Sequence, residues 1–171
     1  MNNNLRGLLF HIIVIIATFA LSYFINLSEE VRNLIYGNMV FRIIIVILIL
    51  YMYFLLGKGM TKRRAPIEDI LTGNLIIFIS LLSIGVAFLG LREKFLEVGP
   101  GDSYYRFFMD MFMYPELYIL KLIGFYEYLE AIIASAFVPG IIYFLSIKKS
   151  RAVIKRKKRI ERNRMRINEK R

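Results

Sequence analysis

Four long apolar runs separated by short polar connections set the pattern of this 171-residue chain; they cover about residues 8–27, 39–56, 70–91 and 129–147. Crossing roughly 30 Å of hydrocarbon takes about 20 helical residues at about 1.5 Å each, and every run is near that length. Backbone N–H and C=O groups in lipid have no water to bond, so helices are the expected elements, and the short alternating segments of a membrane barrel are missing. The pattern predicts an all-α polytopic membrane protein, with a four-helix transmembrane domain over 1–147 and a tail over 148–171. The first run exceeds the apolar stretch of a typical secretory signal and no small-x-small site follows it, so it reads as a retained anchor.

Residues 103–125 break this regularity, and interfacial, re-entrant and spanning placements compete for 107–125. Tyr104, Tyr105, Phe107, Phe108, Phe112, Tyr114 and Tyr118 crowd the segment. Aromatic rings favour the headgroup level, which predicts an outer interfacial helix up to about Tyr114. Pro115 then opens a new helix expected to run on into the fourth span.

Charge sets the orientation. The 24 Lys and Arg exceed the 13 Asp and Glu by 11, and thirteen of the basic residues lie after Ile147, opposed only by Glu161 and Glu169. The tail thus carries the whole surplus on a neutral body. Lys and Arg in short connections resist translocation. Lys58, Lys62, Arg63 and Arg64 between the second and third runs, together with the tail, therefore predict a cell-membrane protein with both termini in the cytoplasm. A fifth crossing by 107–125 would export the tail and is rejected.

With 57% apolar and 22% charged residues, the chain matches neither an average soluble domain nor a disordered basic protein. Heavy use of Ile, Lys and Asn fits a bacterial source. The tail lacks Pro and Gly and repeats Val153, Ile160 and Ile167 every seven residues, which predicts a basic helix. Lys148, Lys149, Arg151, Lys155, Arg156, Lys157, Lys158 and Arg159 are expected to meet anionic lipid at the cytoplasmic face of the bilayer, or a partner protein. Nucleic acid is disfavoured, because the tail has no aromatic side chain on which bases stack.

The absence of cysteine excludes disulfides, thiolate metal sites and a cysteine nucleophile, and one histidine excludes sites built on several imidazoles. No cofactor, metal or catalytic constellation is expected. Small residues suggest how the spans pack: Gly73, Ser80, Ser83, Ala87 and Gly90 form a seam on the third, and Ala131 and Ser135 precede Pro139 and Gly140 on the fourth. These two faces are expected to meet, with a kink at Pro139. His11, Thr18 and Ser22 make a polar stripe on the first span, where Glu68 or Asp69 is the expected partner of His11. Asn74, one turn inside the third span, is placed to join that stripe. Glu116, Glu127 and Glu130 fall near one face of a continuous helix and form, with His11, the candidate ion or proton sites; Lys121 and Arg42 are their expected counter-ions.

Short spans without paired intramembrane charges favour a small non-catalytic accessory or assembly subunit, contacting a membrane protein partner or a second copy of itself. The alternative is a small oligomeric ion or solute transporter or channel, using the outer carboxylates and the kinked fourth helix.

Overall fold

The computed structural model describes residues 3–60, 73–99 and 101–168, and every regular element among them is helical. Lys62, Arg63, Arg64, Glu68, Asp69 and the expected start of the third span at Ile70 lie outside the described residues. Eight α-helices follow in order: α1 Asn3–Asn26, α2 Glu29–Gly37, α3 Met39–Lys58, α4 Asn74–Leu91, α5 Tyr104–Phe112, α6 Tyr114–Ile123, α7 Leu129–Ser135 and α8 Val138–Asn168. Four helical stretches are long and apolar enough to cross a membrane: α1, α3, α4 with the 3-10 turn after it, and α7 with α8. Ile16, Phe19, Ile47, Phe78, Leu82, Ile141 and Leu145 stand exposed around the bundle. An apolar belt of this kind suits contact with lipid, and the protein is compatible with a multi-pass membrane protein.

Small and polar residues set the inward faces. On α1 the buried positions are Asn3, Gly7, His11, Val14, Thr18, Ser22 and Ile25, spaced three or four apart as one helical face requires, so the polar stripe points inward. On α3 they are Ile45, Ile49, Tyr53 and Gly57. The most extensive helix contact is between α3 and α8. At its closest point, a Cβ on Gly57 would stand 2.8 Å from the Ser146 Cβ, and the Ser146 hydroxyl donates to the Phe54 carbonyl at 2.6 Å.

The expected seam between the third and fourth spans divides. Near the end where the chain enters α1, Gly73 meets α8: a Cβ there would lie 2.9 Å from Gly140 Cα, and its φ of +98° is one that glycine adopts without strain. Ser80, Ser83 and Ala87 are buried. At the far end, a Cβ on Gly90 would strike the Tyr105 ring, so this part of the seam admits α5 instead of the fourth span. Asn74 is exposed at the start of α4 and stays out of the α1 stripe. The kink expected at Pro139 is a break: α7 ends at Ser135 and α8 begins at Val138. Pro139 has no N–H for the Ser135 carbonyl four residues earlier.

The largest departure from expectation is α5 and α6. They form a helical hairpin inside the bundle instead of an outer interfacial helix, and α6 does not run on into the fourth span. α5 packs on α4, and α6 lies between α1 and α3, burying Met109, Met113, Glu116, Leu117 and Leu120. Near the hairpin mouth, Arg42 at the start of α3 donates to the Leu122 carbonyl at 3.4 Å, and the Tyr36 and Tyr118 hydroxyls lie 3.0 Å apart. At the tip, Phe112 and Glu116 reach His11 and Tyr53, close to the ends of α1 and α3 from which the tail also leaves. α5 and α6 have 9 and 10 residues, about 14 and 15 Å at the helical rise, so each is only half a crossing. Helix α2, between the first two spans, was not anticipated; the Ser28 hydroxyl caps it by accepting from the Val31 N–H.

Two predictions follow from this packing. Gly57→Ala forces α3 away from Ser146 and is expected to lower stability by about 1–3 kcal/mol; Gly85→Ala, with nothing within 4 Å of its Cβ, is expected to leave it unchanged or higher, as thermal unfolding in detergent will show. The chain has no native cysteine, so single cysteines at Ser103 and Glu127 are expected to label from one face of the membrane and one at Ser150 from the other; a fifth crossing would separate the first two.

Candidate functional site

The hairpin tip interrupts the helical backbone within the bundle, and the sequence there supplies what the break requires. Pro115 sits in the first turn of α6, where a missing N–H costs nothing, and Glu116 follows it at the positive end of the helix dipole. The last carbonyls of α5 need donors from outside that helix. His11 Nε2 lies 2.9 Å from the Phe112 carbonyl oxygen and provides one. His11 is fully buried and Glu116 is 2% exposed.

Tyr53 links the two. Its hydroxyl oxygen lies 2.8 Å from His11 Nδ1 and 2.6 Å from Glu116 Oε1, and His11 Nδ1 lies 4.0 Å from Glu116 Oε1. These contacts limit where the protons sit. A carbonyl only accepts, so His11 Nε2 carries a proton. If the imidazole is neutral, Nδ1 is an acceptor and takes the Tyr53 hydroxyl proton; Tyr53 oxygen must then accept from Glu116, whose carboxyl is protonated. If the imidazole is charged, Nδ1 donates to Tyr53, and Tyr53 donates to a Glu116 carboxylate. Both arrangements have zero net charge and the same number of protons, and a shift along the two hydrogen bonds interconverts them. The charged one keeps the Tyr53 hydroxyl as donor to Glu116 Oε1, and the neutral one avoids a buried ion pair.

Glu116 Oε2 is buried and has no hydrogen-bond partner among the described residues. Glu116 also lines a groove of about 290 Å³ between α6, α7 and the start of α8, where Ser135 is the other polar residue. The breaks in α5–α6 and α7–α8 therefore flank one space.

The hairpin mouth holds a second polar centre. Arg106 is fully buried; it donates to Asp110 Oδ1 at 3.0 Å, to the Phe95 and Val98 carbonyls at 2.6 and 2.7 Å, and to the Tyr126 hydroxyl. Asp110 also accepts from the Gly101 N–H at 3.3 Å. Burial pushes the Asp110 carboxyl up from its ordinary range, while the adjacent guanidinium pulls it back. The cluster ties the loop before α5 and the turn after α6 to one side chain. A neighbouring cavity of about 330 Å³ is lined by Ser22, Asn26, Tyr36, Tyr118 and Lys121 among others.

Of the residues singled out in the sequence, the structure brings His11 and Glu116 together and separates the other two glutamates from them. Glu127 lies in the turn after α6 and Glu130 in α7, both exposed, because α6 ends at Ile123, capped by Gly124, and the expected continuous helix does not form. Lys121 is exposed, and Arg42 serves the Leu122 carbonyl instead of a carboxylate. Ala131 is half-buried, and Ser135, Pro139 and Gly140 are buried around the α7–α8 break. Lys148, Lys149 and Lys155 to Arg159 are exposed along α8, with Arg151 half-buried. Tyr53 and Arg106 went unnoticed, since a tyrosine in a span and an arginine in an aromatic segment carry no local signal of their partners. Among the described residues, no group of three or more His, Asp or Glu side chains is placed to hold a metal ion.

No family model, curated protein or solved structure matches the chain. The fold alone defines the class: a helical protein with four membrane-length helices and an internal half-helix hairpin.

Tyr53→Phe removes the hydroxyl that both His11 and Glu116 use. It is expected to destabilise the protein by about 1–3 kcal/mol, whereas Tyr51→Phe, at an exposed position, leaves thermal unfolding unchanged.

Proposed function

We propose that this protein is a small proton-coupled carrier of the cell membrane, with its proton on the His11, Tyr53 and Glu116 network and both termini in the cytoplasm. One observation carries the reading: an acid, a phenol and an imidazole are hydrogen-bonded in sequence at the tip of an interrupted helix hairpin, with one carboxyl oxygen left without a partner among the described residues. Ionisable groups inside a membrane domain are costly and mark proton or ion paths, and interrupted helices commonly frame such sites. The accessory-subunit expectation rested on short spans without paired intramembrane charges, whereas this network brings an imidazole and a carboxyl group together inside the bundle. It gains support from a different observation, the exposed run from Lys155 to Arg159 on α8. A larger partner that crosslinks to the tail and is lost on deleting residues 148–171 would favour that second reading.

In lipid vesicles near neutral pH, the carrier reading expects an infrared carbonyl band of a protonated carboxylic acid that disappears in Glu116→Gln. Absence of that band in the unmutated protein would overturn the assignment of the proton.

A further inference from the structure

We propose that the end of the bundle from which the tail leaves holds the phosphate of one anionic phospholipid between Lys58 of α3 and Lys149 of α8. The inference is independent of the carrier reading. Helices α3 and α8 come closest at Gly57 and Ser146, and the residues that follow meet at one aromatic ring: the Lys58 and Lys149 ammonium nitrogens lie 5.0 and 5.3 Å from the centroid of Phe54. They therefore stand no more than about 10 Å apart. Lys148 adds a third cation, 5.9 Å from the Phe144 ring. All three lysines are exposed, and no carboxylate pairs with any of them among the described residues. The ring attracts each ammonium group but carries no net charge to offset their mutual repulsion. An anion seated between them does.

The position of the lysines selects a lipid as the source of that anion. Along α3 the exposed Tyr51 and Leu55 precede Lys58, and along α8 the exposed Ile141 and Leu145 precede Lys148 and Lys149, at the three- and four-residue spacing of one helical face. Each face thus turns from apolar to cationic within one turn, near the end of the apolar run of a membrane-length helix. Acyl chains fit the apolar part and a headgroup the cationic part, which flexible lysine stems reach from the edge of the hydrocarbon. A phosphodiester of net negative charge accepts from both ammonium groups through its two free oxygens. A zwitterionic headgroup brings an ammonium of its own to the same place, and free phosphate gains nothing from the apolar faces. The later cations of α8, from Lys155 on, stand about 9 Å or more further along the helix than Lys149 and do not share the ring.

The test uses the full-length protein in a non-ionic detergent, with native mass spectrometry counting bound lipid as phosphatidylglycerol or phosphatidylcholine of the same acyl chains is titrated in. One phosphatidylglycerol is expected to bind at least about fivefold more tightly than phosphatidylcholine. Lys58→Gln combined with Lys149→Gln is expected to abolish that preference. Lys155→Gln combined with Lys157→Gln, which removes the same charge further along α8, is expected to keep it. Both double variants change exposed side chains and are expected to match the thermal unfolding of the unmutated protein when no lipid is added. Sodium phosphate is expected to displace no more phosphatidylglycerol than sodium chloride of equal ionic strength. Equal retention of the two lipids, or an equal loss of preference in the two double variants, would overturn the proposal, the second result assigning the attraction to the charge of the tail as a whole. Displacement by phosphate beyond that by chloride would overturn the lipid as the source of the anion.

Discussion

A helix that stops inside an apolar bundle must find partners for the backbone groups it exposes, and the α5–α6 hairpin depends on meeting that requirement. Each unsatisfied group in such surroundings costs several kcal/mol. The Phe112 carbonyl receives the His11 N–H, and Pro115 removes one donor that would otherwise need an acceptor. The mouth is held by a different device, since Arg106 gathers two loop carbonyls, a carboxylate and a phenol around one guanidinium. With the tip and the mouth both tied down, two half-helices occupy a place where lipid-exposed backbone would not persist.

The same requirement explains why small residues matter where they do. Room for a hairpin among four spans comes from close approach elsewhere: α3 meets α8 through Gly57, and α4 meets α8 through Gly73 and Gly140. Helices in lipid gain little by burying apolar side chains against each other, so van der Waals fit at such points and buried hydrogen bonds such as that of Ser146 carry the association. Gly90 then admits the Tyr105 ring of α5. One seam of small residues on α4 serves two neighbours.

What could be read from the sequence follows from the range of the interactions involved. The four spans are continuous apolar runs, a local property, and the structure places helices on them: Met39–Lys58 against an expected 39–56, and an end at Leu91 as expected for the third. The inward stripe of His11, Thr18 and Ser22 is also local, since helical spacing alone puts those residues on one side. The hairpin was misplaced because its polar residues satisfy themselves at a distance. Arg106 and Glu116 look interfacial in isolation, yet Glu116 finds Tyr53 63 positions away and His11 meets a carbonyl 101 positions away. Signals for a hairpin were nevertheless present. The basic tail demands that 103–125 return to the side it left, and Pro115 divides the segment into two pieces, each too short to span. An interfacial helix and a re-entrant hairpin both meet the first condition, and only the long-range partners choose between them.

On the carrier reading, structural and proton-binding roles at the tip would coincide in the same atoms, and this limits how such a site can work. His11 caps α5 through Nε2 and reaches the acid through Nδ1 and Tyr53, so the imidazole cannot rotate to deliver a proton without exposing the Phe112 carbonyl. On that reading, proton movement along His11, Tyr53 and Glu116 would proceed by exchange along existing hydrogen bonds, with the heavy atoms held in place. Glu116 is free of that constraint on one side only: Oε1 belongs to the network, while Oε2 has no partner among the described residues and its residue borders the groove. The wall opposite is the α7–α8 break at Pro139, where an incomplete helical hydrogen-bond ladder makes bending cheaper than in an intact helix. The tip is thus held by hydrogen bonds on both sides of the α5–α6 break, and the α7–α8 break beside it is the more easily bent of the two.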